Sequence, residues 1–174
     1  MQRILLVIKT AIDNLNEFVG KAAAWLTAAL VLLVCYDVIT RYLLNETRVW
    51  VMELEWHLFA LTFLFGAAYA LKHDKHVRVD VFYANFSERD KAWVNLIGGL
   101  LFLLPWCFLI IYWTFDYAQL SYAVRERSPD PGGLPARYII KFAIPVGISL
   151  LLLQNISSII KNVFVLKKWE EIKA

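Results

Sequence analysis

The side chains able to do chemistry in this 174-residue chain gather in three places. Asp37 and Arg41 stand four residues apart inside an apolar run. Glu53 and Glu55 open the next run, and His73, Asp74, His76 and Asp80 crowd the cationic stretch KHDKHVRVD that closes it. A lone carboxylate is expensive in hydrocarbon, about 2.5–3.5 kcal/mol at the bilayer centre. Asp37 would lie ~10 Å inside the end of its run at helical rise. Arg41 follows in the favourable acid-before-base order for a pair one helical turn apart. The structural reading pairs Asp37 with Arg41 or with a neighbouring subunit; an ion or proton site at Asp37 is the alternative.

The histidines superficially suggest a metal cluster, but Lys72, Lys75 and Arg78 between them would repel a cation. They are read as interfacial anchors, with Asp80 in contact with His76 or with a partner. His57 stands alone among the apolar runs, so an intramembrane haem held by two histidines is not expected. Cys35 and Cys107 have no partner at metal or redox spacing and read as small buried hydrophobes. A phosphate-binding glycine loop, a nucleophile elbow and a zincin pair are also missing. No catalytic, cofactor-binding or metal residue is assigned, and the chain is read as a non-enzyme without cofactors.

The elements that would hold these residues are set by composition. The chain is 60% hydrophobic and 19% charged, with mean hydropathy +0.54. So apolar a chain needs lipid to cover its surface. Its net charge of +3 is dispersed between apolar runs, which suits lipid headgroups better than nucleic acid.

The expected fold is an all-α integral membrane protein with four transmembrane helices, at residues 22–44, 49–71, 93–115 and 138–160. An N-terminal amphipathic helix over residues 1–20, apolar at every third or fourth position, is expected to lie in the headgroup plane; no cleaved signal is expected, since the apolar stretch 4–8 is too short. The second span fixes the direction: glutamates lead it and cations end it, as the helix dipole favours. Tyr42 and Trp50 suit the aromatic belt at the opposite membrane face. Gly66, Ala67, Ala68 and Ala70 offer a small-residue face for another helix. Ser87 and Asp90 have capping spacing ahead of the third span, where Pro105 predicts a kink. Gln154, Asn155, Ser157 and Ser158 supply interhelical hydrogen bonds in the fourth. Twelve lysines and arginines fall on the side of the termini and six on the other, which places both termini in the cytoplasm.

Taken in order, Arg41-Tyr42, Trp50-x-x-Glu53, Gly66-Ala67-Ala68 and His76-Val77-Arg78-Val79-Asp80 resemble the small membrane subunit of tripartite ATP-independent periplasmic (TRAP) transporters. The resemblance covers about residues 22–161. It departs at Leu54, where many members carry a second, adjacent glutamate; here that acid is Glu55. It implies a multi-pass protein of a bacterial inner membrane. It also implies two partners: a large permease that carries the substrate and sodium sites, and a periplasmic protein that binds an organic anion. The small subunit would brace the large one. The segment SPDPGGLPARYIIK resembles a subgroup linked to 2-oxo acids and other carboxylates. The alternatives are a self-contained small exporter, with Asp37 as its coupling acid, and the membrane anchor of a redox complex.

Overall fold

The computed structural model describes residues 2–75, 83 and 85–167. Four helices account for most of them: α1 (Gln2–Leu43), α2 (Val49–Lys72), α3 (Glu88–Ala123) and α4 (Tyr138–Leu166). Among the described residues there is no strand. Each helix is long and apolar enough to cross a membrane. The shortest, α2 with 24 residues, is about 36 Å long at 1.5 Å per residue, more than the ~30 Å of a hydrocarbon core.

The innermost helix is α4. Of its most apolar stretch 44% is buried inside the subunit, against 6–11% for the other three helices. It packs on all of them, while α3 rests chiefly on α4. Between α3 and α4, Cys107, Ile148 and Leu151 form a small core, ringed by Leu71, Leu103, Ile110 and Ile144. Where α2 crosses α4 the backbones meet closely: a Cβ on Gly147 would stand 2.8 Å from the Cβ of Leu64 and 3.0 Å from its carbonyl oxygen. Close approach of this kind holds helices together where lipid removes the hydrophobic drive between them.

The first twenty residues correct one expectation. They are not a separate helix laid in the headgroup plane but the opening half of α1, which runs unbroken for 42 residues, or about 63 Å. Packing explains the continuity. Asn16, 1% exposed, donates to the side-chain oxygen of Gln154 at 2.8 Å. Asp13 accepts from Gln154 at 3.0 Å and from the Ser157 hydroxyl at 2.6 Å. Gly20, the last residue of the expected first helix, lies mid-helix, and Tyr69 occupies the place of its missing side chain; a Cβ would fall 2.3–2.5 Å from that ring.

The start of α3 follows its sequence signal, with the Ser87 hydroxyl accepting from the Asp90 N–H at 3.2 Å. Ahead of Pro105 the helix widens into a π-helical turn over Gly99–Leu103. Proline has no N–H to return to the preceding turn and its ring crowds that turn's carbonyl, and a π-turn is one way of absorbing both. Asn155 of α4 donates to the Gly99 carbonyl at 2.9 Å and ties this turn to the central helix.

Candidate partner interface

Glu53 is the best-connected of the candidate side chains, and its ties are inside the subunit. It is 6% exposed at the start of α2. One carboxylate oxygen accepts from the Ser128 hydroxyl, and the other accepts from the Leu134 N–H at 2.5 Å. The proline- and glycine-rich connection between α3 and α4 is thereby stapled across the end of α2. The connection also holds itself: the Ser128 N–H donates to the Leu134 carbonyl at 3.2 Å, and the Arg137 N–H to the Glu126 carbonyl at 2.9 Å. Gly132, at φ +79°, makes the turn. Glu126 accepts from Lys141 and from the Ser121 hydroxyl. The Lys141 ammonium first, then that hydroxyl, hold the Glu126 carboxyl below the usual carboxylate range. No sequence spacing announces the staple, because its partners lie 75 and 81 residues away.

Asp37, 4% exposed, is paired with Arg41 on the same helix face. The Thr40 hydroxyl donates to the Asp37 carbonyl at 3.0 Å. Glu55 approaches from α2, within electrostatic reach of both Asp37 and Arg41. Arg41, its side chain 46% exposed, offsets the buried charge from the same helix, and the second Asp37 oxygen has no hydrogen-bond partner among the described residues. Asp37→Asn is therefore expected to lower the amount of assembled complex while leaving transport per complex nearly unchanged. Quantified uptake normalised to purified complex checks this; lost ion coupling in a fully assembled variant would refute it.

The small-residue face of α2 divides. Ala68 is 1% exposed and packs within the subunit, so it is not available to a partner. Gly66 and Ala67 are half-buried, and among the described residues nothing lies within 4 Å of where a Gly66 Cβ would be. Gly66 continues an outward stripe formed by Met52, Trp56, Phe59 and Phe63, spaced by three and four residues. Tyr42 is 76% exposed near the end of α1, and Trp50 is half-buried near the start of α2. His76 and Asp80 lie outside the described residues.

At the opposite end of α2, Glu17 clamps α1 to α2. It accepts from Lys72 at 2.8 Å and meets His73 at 2.9 Å. It stands ahead of the apolar part of α1, outside the span. Lys72 first, then His73, hold its carboxyl down to about 2 from an ordinary 4.5. A carboxyl depressed on folding contributes stability above its unfolded value and loses it as pH falls through its folded value. Wild type and Glu17→Gln should thus differ in Tm above about pH 4.5 and converge as pH falls toward 2. Thermal unfolding in detergent across that range measures it; a gap independent of pH would contradict the clamp.

The four long apolar helices agree with what comparison with known proteins finds. Residues 30–164 match the family described as tripartite ATP-independent periplasmic transporters, DctQ component. The chain belongs to that family: it is a TRAP transporter small permease. It is 27% identical over 158 residues to the C4-dicarboxylate TRAP transporter small permease protein DctQ of Vibrio cholerae, covering 80% of this chain and 67% of that one. It is also 32% identical over 96 residues to the sialic acid TRAP transporter small permease protein SiaQ of the same organism, covering 55% of this chain and 53% of that one.

Proposed function

We propose that this chain braces the large permease subunit of its transporter through the open face of α2, and that the complex takes up an organic acid using an ion gradient, with sodium as the ion. The observation that carries the bracing role is the division of α2 between an inner side and an unpartnered outer stripe. Leu64, set against Gly147 of α4, and Ala68 belong to the packed inner side; Phe59, Phe63 and Gly66 form the stripe. The buried polar residues support the same reading. Asn16, Gln154, Asn155 and Ser157 are engaged in helix-to-helix hydrogen bonds, as packing residues are. The substrate site would then belong to the large permease, supplied by a periplasmic binding protein. Two relatives are named for C4-dicarboxylate and sialic acid, which supports a carboxylate as the substrate class. The 2-oxo acids are one candidate group within it.

The membrane would be a bacterial inner membrane, with both termini cytoplasmic and the 124–137 connection periplasmic. Impermeant thiol labelling of Arg127→Cys from outside intact cells is expected, with Lys75→Cys protected; the reverse pattern would overturn the orientation. Uptake by proteoliposomes holding both permease subunits and the binding protein tests the function. Organic-acid uptake should require the sodium gradient and this chain together. Equal uptake by the large permease alone would refute the bracing role.

A further inference from the structure

A polar cavity of about 550 Å³ opens where the far end of α2 meets the N-terminal half of α1, the start of α3 and the last turns of α4. It lies at the other end of α2 from the Glu53 staple. Lys9, Lys72, Lys91 and Lys161 line it, one from each helix, with the neutral donors Asn95 and Ser158 between them. Three acids line it as well, but they are engaged. Asp13 accepts from Gln154 and Ser157 and pairs with Lys9 at 3.3 Å. Glu88, its side chain 87% exposed, pairs with Lys91 at 3.2 Å. Asp74 has contacts of its own. Lys161 has no hydrogen-bond or ion-pair partner among the described residues. With Lys9 held by Asp13, Lys72 by Glu17 and Lys91 by Glu88, Lys161 is the lining lysine left without a counter-ion among the described residues, beside uncharged donors.

The level of the cavity identifies what would fill it. Leu71 and Val165 also line it. Leu71 is the last residue of the apolar run of α2, with Lys72 next; Lys161 directly follows the apolar stretch of α4. The lining thus passes from alkyl to ammonium at the depth where a phospholipid passes from acyl chain to phosphate. Basic pockets between membrane helices at this depth suit anionic headgroups, and ammonium groups with hydroxyl and amide donors suit phosphate oxygens. We propose that this cavity is a binding site for the phosphate headgroup of one anionic phospholipid, which would cross-link all four helices at that membrane face. The proposal rests on the membrane placement of the helices and not on the bracing role.

The test is native mass spectrometry of the purified permease complex, titrated with phosphatidylglycerol or phosphatidylcholine, with and without excess inorganic phosphate. Phosphatidylglycerol should bind preferentially and survive the added phosphate. Lys161→Gln should weaken it about fivefold, the scale of one lysine at an anionic membrane surface, and Lys161→Arg should restore it. Arg127→Gln, at the other membrane end, should change nothing. Circular dichroism confirms that each variant is folded. Equal binding of the two lipids would overturn the proposal. Displacement by inorganic phosphate would assign the cavity to a soluble anion instead. A loss in Arg127→Gln as large as in Lys161→Gln would reduce the effect to general charge attraction, and also overturn it.

Discussion

Glu53→Ala is expected to release the connection between α3 and α4 from the end of α2. Two hydrogen bonds to one carboxylate are lost together, from the Ser128 hydroxyl and the Leu134 N–H. A hydrogen bond to a charged group contributes about 1.5–3 kcal/mol, and water can replace part of it at a surface connection, so a net loss of about 3 kcal/mol is expected. Glu53→Gln keeps one acceptor oxygen and should lose about half as much. Gly133→Ala should mimic Glu53→Ala, because its Cβ would stand 2.3 Å from the Ser128 hydroxyl and 2.9 Å from a Glu53 oxygen. Thermal unfolding in detergent and trypsin cleavage at Arg127 report both effects. Unchanged Tm and unchanged cleavage in Glu53→Ala would mean that the connection holds itself.

The second large effect is expected at Gly147, where α2 and α4 touch. Leucine there must displace the Leu64 backbone as well as its side chain. Overpacking a filled site costs about 1–3 kcal/mol when side chains can yield, and backbone yields less readily. In lipid no hydrophobic drive between helices compensates for a widened seam. Gly147→Leu should therefore shift the subunit to aggregate on size exclusion and cut its yield severalfold. Gly66→Leu, with open space at its Cβ, should leave the isolated subunit unchanged by the same measure. Equal damage from the two would mean that the inner and outer sides of α2 have been misassigned.

That distinction between two glycines shows where sequence reading reached and where it stopped. The four spans were legible because a bilayer demands long apolar runs, and the cap at Ser87 because its partner is three residues away. The pairing of Asp37 with Arg41 was legible for the same reason: both ends lie on one helical turn. The α2 face was only half legible. Inner and lipid-facing surfaces of a membrane helix are alike in apolarity, so a run of small residues does not say that Ala68 turns inward and Gly66 outward. The break expected after Gly20 failed because glycine there serves Tyr69, a residue on another helix. The staple at Glu53 and the clamp at Glu17 are contacts across 55 to 81 residues of chain, made only by the fold.

The bracing role is tested most directly by detergent co-purification of the two permease subunits with Gly66→Leu in this chain, with uptake measured alongside. Leu61→Phe, a change of apolar bulk away from the stripe, serves as the control. The account predicts a folded Gly66→Leu subunit that no longer retains the large permease and supports no uptake, while Leu61→Phe does much less. An intact complex with normal uptake in Gly66→Leu would contradict it.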